Sequence, residues 1–306
     1  MSRCGGSVSW TRAPVLRSSP SSQANAPSSA ATPPTSVRRA LQVLGIRPRK
    51  ALGQHFLHDP SIVRRIVEVA QLPPDALVVE IGPGLGTLTE ELAQRAGTVI
   101  AIELDPRLAT WLDERFRGTN VRIVQGDALT VDFAVLTDRR PYIVVANLPY
   151  NVATPILQRL LTSEHPPERL VVMVQREVAE RMAASPPAMS YLSILVQFFT
   201  RPRIAFRVGP GAFTPPPKVE SAVLVLDRRE TPLPRSEWEA FFEIVRAGFA
   251  QRRKQLLNTL SAGLGLTKEH VRTALHRAGI APDRRAETLT LDEWLRLYRA
   301  LREEQE

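Results

Sequence analysis

The hydrophobic pattern of the chain centres on a short apolar run that ends in closely spaced glycines. Leu77–Ile81 is short and rich in β-branched residues, as is typical of a buried strand in a parallel sheet. Gly82, Gly84 and Gly86 follow, and Thr87–Arg95 then carries its apolar residues at helical spacing. Strand, glycine turn and helix predict the first unit of a nucleotide-binding α/β fold. The dinucleotide fingerprint Gly-x-Gly-x-x-Gly would need a glycine at position 87, so the turn alone leaves the nucleotide open.

Strand-like and helix-like runs alternate around this unit. Asp59 followed by Pro60 is a helix start signal, and it predicts a helix to about residue 70. Further strand-like runs lie at residues 98–102, 121–124, 142–146 and 170–174. Helical patterns lie at residues 37–44, 106–116, 154–161, 176–182 and 189–199. The alternation predicts a doubly wound sheet.

The last two strand-like runs, residues 203–208 and 221–226, have no helix between them. They predict an antiparallel hairpin at the sheet edge, joined by a proline-rich loop at residues 209–218. From residue 232 onward only helical patterns remain, at residues 237–250, 253–262, 268–278 and 291–301, with Ser236, Thr267 and Thr290 as candidate caps. We therefore expect a catalytic domain at residues 37–230 and a small helical domain at residues 231–306.

Charge and composition set the first 36 residues apart. Residues 1–36 are rich in Ser, Pro and Ala, which predicts a disordered tail, although a transit peptide or residues upstream of the true start are alternatives. The net charge is +9, but residues 1–58 hold eight basic and no acidic residues, so nucleic-acid binding must depend on local patches. Cys4 is the only cysteine, and no apolar run reaches membrane-spanning length. We expect a soluble, cytoplasmic protein.

Polar residues follow four successive predicted strands: Gly82, Glu103, Asp127 and Asn147. Ligands of open α/β sheets bind at the carboxyl ends of the strands, where these residues would meet. Glu103 lies about twenty residues beyond the glycine turn, as expected for an acid that binds ribose hydroxyls of NAD or S-adenosylmethionine. Asp127 could accept a hydrogen bond from an adenine amino group. Each acid alone could be a helix cap or a surface charge, but four in register indicate a site.

The tetrapeptide Asn147-Leu-Pro-Tyr separates the two cofactors, because it has the form of the amino-methyltransferase motif. The lone pair of adenine N6 is delocalised into the ring, so the nitrogen is a poor nucleophile. The Asn147 side-chain oxygen and the Leu148 carbonyl can both accept from the amino group and direct its lone pair toward a methyl donor. Pro149 fixes the turn, and Tyr150 offers a face on which the base can stack. An ordinary Asx-Pro turn is the alternative.

Several motifs resemble the small-subunit (16S) ribosomal RNA adenine dimethyltransferase family, that of the kasugamycin-sensitivity dimethyladenosine transferase. The resemblance covers the chain from about residue 37 onward. It implies an α/β fold with a Rossmann-like class I S-adenosylmethionine-dependent methyltransferase sheet and a small C-terminal all-helical domain. The matching motifs, in chain order, are Leu52-Gly-Gln-His-Phe-Leu, Glu80-Ile-Gly-Pro-Gly-Leu-Gly-Thr-Leu-Thr, Glu103-Leu-Asp, Gly126-Asp-Ala, Asn147-Leu-Pro-Tyr-Asn and Phe213-Thr-Pro-Pro-Pro-Lys-Val-Glu-Ser.

The resemblance also implies roles for individual residues. The expected contacts of the methyl donor, S-adenosylmethionine, are His55, Leu57, Gly82, Glu103, Asp127 and Asn147. The expected catalytic residues are Asn147, Leu148, Pro149 and Tyr150, with Phe213 as the second stacking face for a flipped adenine. An apolar anchor for the proline-rich loop is the alternative role of Phe213. His55 and His58 alone do not indicate a metal site, and methyl transfer needs no metal ion.

The expected partner is 16S rRNA in the small ribosomal subunit or its precursor, bound by a monomer. The expected reaction is N6,N6-dimethylation of two adjacent adenines in the 3′-terminal hairpin during subunit biogenesis. Arg252, Arg253 and Lys254, here called the basic triplet, are the predicted RNA contacts. Arg246, Arg284 with Arg285, and the basic segment 38–50 are further candidates, and a solvated helix face is the alternative.

Two other functions share parts of this pattern. A relative that methylates large-subunit rRNA would share the catalytic motifs, but the helical domain and the Phe213 loop favour the small-subunit enzyme. A nucleic-acid-binding factor, either a ribosome-assembly checkpoint or a mitochondrial transcription-factor relative, is the alternative outside enzymes. Only the transit-like tail indicates the latter, and the complete set of strand-end residues favours a methyltransferase.

Overall fold

The computed structural model describes residues 37–46 and 54–303. The predicted tail and residues 47–50 of the basic segment 38–50 lie outside this part of the chain. Within these ranges the strands are β1 Phe56–Leu57, β2 Leu77–Ile81, β3 Thr98–Glu103, β4 Val121–Gln125, β5 Ile143–Asn147, β6 Arg169–Gln175, β7 Thr200–Val208, β8 Phe213–Thr214 and β9 Ser221–Arg228. The helices are α1 Val37–Val43, α2 Pro60–Ala70, α3 Thr87–Arg95, α4 Pro106–Arg115, α5 Phe133–Leu136, α6 Ala153–Thr162, α7 Arg176–Met182, α8 Tyr191–Phe199, α9 Trp238–Phe249, α10 Leu256–Leu264, α11 Lys268–Arg277 and α12 Leu291–Glu303.

Seven strands form one sheet in the order β4-β3-β2-β5-β6-β9-β7. The five strands from β4 to β6 are parallel, as the buried apolar runs predict. Their residues alternate between the two faces: Val78 belongs to a core under α2 and α3, and Val79 belongs to a second core under α6 and α8. Strand order reverses between β2 and β5, so a ligand crevice is expected at their carboxyl ends.

The predicted edge hairpin is confirmed, because β9 pairs antiparallel with both β6 and β7. The proline-rich connection between β7 and β9 is more ordered than the loop that the sequence predicts. It contains β8, in which Phe213 and Thr214 pair antiparallel with Leu57 and Phe56 of β1. This pairing joins the segment before α2 to the connection between β7 and β9.

Two predicted helix caps are confirmed in the C-terminal region and one is wrong. The Thr267 hydroxyl accepts the His270 N–H at 3.2 Å, and Thr290 caps α12 by accepting the Glu293 N–H at 3.2 Å. Ser236 lies inside a single 3₁₀ turn, Arg235–Glu237, and α9 begins after it at Trp238. Leu256 starts α10 three residues later than predicted; its side chain is buried, and its N–H donates to the Arg284 carbonyl at 2.8 Å.

The C-terminal helices share a continuous hydrophobic core with one face of the sheet. Phe198 of α8 stacks on Phe241 of α9, with ring centroids 5.1 Å apart, and meets Trp238 edge-on. The division into two domains at residue 230 stays a prediction. In the described part of the chain, no helix combines the length and the apolar character needed to cross a membrane.

Candidate active site

The turn after β2 forms the floor of a cavity at the carboxyl ends of the parallel strands. Gly82 and Gly84 have φ angles of +70° and +60°, a region that side chains with a Cβ rarely adopt. A Cβ on Gly84 would lie 3.0 Å from the Phe56 ring, so glycine is also needed for close packing against β1. The turn therefore exposes its backbone toward the cavity, as a nucleotide-binding turn must.

Glu103, the last residue of β3, stabilises this turn by hydrogen bonding to its backbone. Its two carboxylate oxygens accept the Gly84 N–H at 3.1 Å and the Asp105 N–H at 2.9 Å. The side chain is only 5 % exposed, and burial raises the pKa of its carboxyl while the backbone hydrogen bonds oppose the rise. Each oxygen keeps a lone pair that can accept from a ligand hydroxyl.

Asp127 follows β4 and lines the same cavity. One carboxylate oxygen accepts the Leu129 N–H at 2.8 Å. This is the capping role that the sequence offers as the alternative to ligand binding. The second oxygen is left to accept from a ligand amino group. Cap and ligand contact are therefore compatible at this residue.

The cavity brings together nine of the residues that the sequence predicts for the site. His55 and Leu57 come from the segment around β1, and the others follow β2, β3, β4 and β5. The parallel strands explain this convergence, since all their carboxyl ends lie at one edge of the sheet. The nine residues are His55, Leu57, Gly82, Glu103, Asp127, Asn147, Leu148, Pro149 and Tyr150.

Asn147 ends β5 with its side chain fixed by the segment that precedes β1. Its amide nitrogen donates to the His55 carbonyl at 3.2 Å. This bond orients the amide and leaves the oxygen as the atom that can accept from a substrate amino group. The next residue, Leu148, is 1 % exposed, and its N–H donates to the Met173 carbonyl at 3.1 Å, which anchors the turn to β6.

Tyr150 and His55 form a stacked aromatic pair in the wall of the cavity. Their ring centroids are 5.5 Å apart with an interplanar angle of 28°. The His55 ring nitrogen Nδ1 lies 2.8 Å from the Pro215 carbonyl, and it carries the proton because a carbonyl can only accept. Burial raises the pKa of the Tyr150 phenol, so its hydroxyl stays protonated.

Phe213 is the predicted residue that the structure does not bring to the cavity. Its side chain is 2 % exposed, and it belongs to the core that also contains Leu57 and Phe206. This position supports the alternative role as an apolar anchor for the proline-rich connection. A stacking face for a substrate base must be accessible, so that role of Phe213 stays a prediction that this conformation does not support.

Glu80 is a cavity residue that sequence reasoning missed. It lies in β2, is 1 % exposed, and its Oε2 atom has no hydrogen-bond partner among the described residues. Burial raises the pKa of this carboxyl to about 8; the Thr89 hydroxyl opposes the rise and the charge of Glu103 adds to it. The signal was present in the sequence, since an acid inside the apolar run Leu77–Ile81 must be buried.

These features test whether the site fits the S-adenosylmethionine that the resemblance implies. That molecule carries a sulfonium, an ammonium group and ribose hydroxyls. The cavity offers an unpartnered, buried oxygen of the Glu80 carboxyl group, the oriented carboxylate of Glu103 and an exposed glycine backbone. The donor and acceptor set therefore fits the cofactor. In the described ranges, 37–46 and 54–303, no group of three or more His, Cys, Asp and Glu could hold a metal ion.

The predicted RNA contacts lie on other surfaces. The basic triplet, Arg252, Arg253 and Lys254, lies on the exposed connection between α9 and α10, whereas the alternative interpretation places it on a solvated helix face. No ion pair between described residues involves these three side chains. Arg284 differs, because its guanidinium pairs with Glu293 and has a structural role at the start of α12.

Known proteins that resemble this chain carry names consistent with such a site. The model of the family described as Ribosomal RNA adenine dimethylase matches residues 45–303. Two relatives are both named Ribosomal RNA small subunit methyltransferase A. The one from Dehalococcoides mccartyi is 45% identical over 276 residues, covering 88% of this chain and 95% of the relative. The one from Moorella thermoacetica is 49% identical over 270 residues, covering 84% and 93%.

Solved structures extend the comparison to the fold. The 23S rRNA methyltransferase ErmE superimposes with a TM-score of 0.66 at 32% identity, covering 81% of this chain and 99% of that one. A dimethyladenosine transferase from Plasmodium falciparum gives a TM-score of 0.67 at 26% identity, covering 79% and 96%. The predicted class I methyltransferase fold is thereby confirmed. With the family model matched over nearly the whole described chain, this protein belongs to the ribosomal RNA adenine dimethylase family.

Proposed function

We propose that this protein transfers methyl groups from S-adenosylmethionine to N6 of two adjacent adenines in the 3′-terminal hairpin of 16S rRNA, giving N6,N6-dimethyladenosine. The observation that carries the proposal is the convergence of the glycine turn, Glu103 and the Asn147–Tyr150 turn on one cavity. The first two fit a nucleoside-bearing methyl donor, and the third fits an amino group as acceptor. A cofactor site and an acceptor site in one cavity support methyl transfer over binding alone.

The residues of the chain prepare the acceptor nitrogen for the reaction. The cofactor, when bound, supplies an electrophilic methyl group. The Asn147 side-chain oxygen accepts one N6–H of the adenine, and the Leu148 carbonyl accepts from the same amino group. These acceptors draw the nitrogen lone pair out of the ring and aim it into the cavity. Tyr150 supplies a face for the flipped base, which must leave its stack to reach the cofactor.

The small subunit is favoured over the large subunit as substrate. Relatives named for the small subunit are 45–49% identical along nearly their whole length, whereas the 23S enzyme ErmE is 32% identical. The exposed basic triplet is the proposed RNA contact of the C-terminal helices, since its charges are free of ion pairs to the rest of the described chain. The enzyme acts as a monomer and needs no metal ion in this proposal.

The test is methyl transfer to whole particles. Purified protein is incubated with radiolabelled S-adenosylmethionine and either undermethylated 30S or undermethylated 50S particles. We expect label in the 30S particles only, and none with Asn147→Ala. Label in the 50S particles only would assign the chain to the large-subunit activity. Binding of the cofactor and of 30S particles without transfer would support the assembly-factor alternative.

A further inference from the structure

Ser221 is a buried hydroxyl beside the cavity, and the site described above gives it no role. It is the first residue of β9 and is 0 % exposed. Its backbone is held on both sides, because it pairs with Gln175 of β6 and with Val208 of β7. Its Oγ atom lies 2.5 Å from the Tyr150 hydroxyl, and a hydrogen bond joins the two.

Tyr150, in contrast to Ser221, is not held by strand pairing. It lies in the irregular turn between β5 and α6 and is only partly buried. Among the described residues, the Tyr150 hydroxyl is hydrogen-bonded to Ser221, and the Tyr150 ring stacks on His55. A tyrosine ring has two rotatable side-chain bonds, so a ring on an irregular turn needs such contacts to keep one orientation.

We infer that Ser221 is a positioning residue for the reaction: it fixes the Tyr150 ring in the orientation on which the target adenine stacks. The inference rests on the proposed function, because it assumes that Tyr150 is the stacking face. Site residues keep a productive geometry when supporting residues on rigid elements, such as strands, fix their side-chain orientation.

A purely structural role makes a different prediction. In that case the Ser221 hydroxyl bonds to Tyr150 only because a buried hydroxyl needs a partner, and its loss changes stability alone. Ser193 provides a matched control. It is also 0 % exposed, and its hydroxyl donates to the Arg181 carbonyl at 2.6 Å, but it lies on α8 and does not line the cavity.

The experiment is a double-mutant cycle with Ser221→Ala, Tyr150→Phe and the double variant, with Ser193→Ala alongside. Single-turnover methyl transfer to 30S particles, cofactor affinity and urea unfolding are measured for each. We expect both single variants to slow transfer by roughly three- to tenfold, as for one lost hydrogen bond, with unchanged cofactor affinity. The double variant should be no slower than Tyr150→Phe, and Ser193→Ala should keep the wild-type rate.

Several outcomes would overturn the inference. Additive losses in the double variant would show that Ser221 does not act through Tyr150, and wild-type rates in both single variants would show that the bond does not matter for transfer. If Ser221→Ala fails to fold, Tyr150→Phe removes the same bond and carries the test, with a wild-type rate again as the contradicting result. A wild-type protein that methylates neither particle would instead remove the proposed function itself.

Discussion

Glu80 makes the stability of this protein depend on pH in an unusual direction. Burial raises the pKa of its carboxyl from 4.5 to about 8 in the folded protein. Between these two values the folded state holds a proton that the unfolded state releases. The free energy of unfolding therefore falls as pH rises through this window, by about 1.4 kcal/mol per pH unit. Stability from this group is fully present below pH 4.5 and is lost above pH 8.

The size of the effect makes it measurable. Raising the pH from about 6 to about 7.5 should lower the free energy of unfolding by about 2 kcal/mol. Thermal unfolding midpoints should fall by roughly 4–8 °C over the same interval. Glu80→Gln keeps the volume of the side chain but cannot titrate. This variant should lose the slope that Glu80 contributes.

The assay is urea unfolding at a series of pH values between about 5.5 and 8, at constant ionic strength. Wild type, Glu80→Gln and Glu243→Gln are compared, the last being an exposed glutamate on α9. The difference in stability between wild type and Glu80→Gln should change by about 1.4 kcal/mol per pH unit, and Glu243→Gln should follow wild type. Parallel curves for wild type and Glu80→Gln would refute the reasoning, because Glu80 would then not be protonated in the fold.

Three further predictions concern the cavity and the RNA surface. Glu103→Ala should weaken S-adenosylmethionine binding by about 1.5–3 kcal/mol, the range for hydrogen bonds to a charged group, and calorimetry with unchanged affinity in a folded variant would remove Glu103 from the site. Replacing residues 252–254 with Ala should leave cofactor affinity intact and lower the salt dependence of RNA binding, by about one unit of slope for each lost phosphate contact; an unaltered slope would assign these residues to the solvated surface. Phe213→Ala should lower the urea midpoint, since large-to-small changes of a buried Phe cost about 3–5 kcal/mol, whereas Asn147→Ala should keep the midpoint and lose methyl transfer. A Phe213→Ala variant of wild-type stability with slow transfer would restore the stacking role.

The parallel strands and the strand-end residues could be predicted from the sequence because their signals are local. Each strand is a short buried run, and the register of Gly82, Glu103, Asp127 and Asn147 follows once those runs are aligned at one edge. The glycine turn was equally visible in the sequence, because a positive φ strongly favours glycine, which has no Cβ.

The features that were missed depend on contacts between distant segments. The pairing of β1 with β8 involves two residues on each strand, too few for any alternation to show. Phe213 was assigned to the cavity, yet that pairing directs it into the core beside Leu57. The contact between Ser221 and Tyr150 likewise joins residues that only the folded chain brings near, whereas the burial of Glu80 could have been inferred from its place inside the apolar run Leu77–Ile81.

The most direct test of the central claim is to locate the methyl groups. Undermethylated 30S particles are incubated with the protein and S-adenosylmethionine, and the 16S rRNA is digested and mapped by mass spectrometry. We expect two methyl groups on each of two adjacent adenines in the 3′-terminal fragment, and none after incubation with Asn147→Ala. Methyl groups on other nucleotides, or a single methyl group on each adenine at complete reaction, would contradict the assignment.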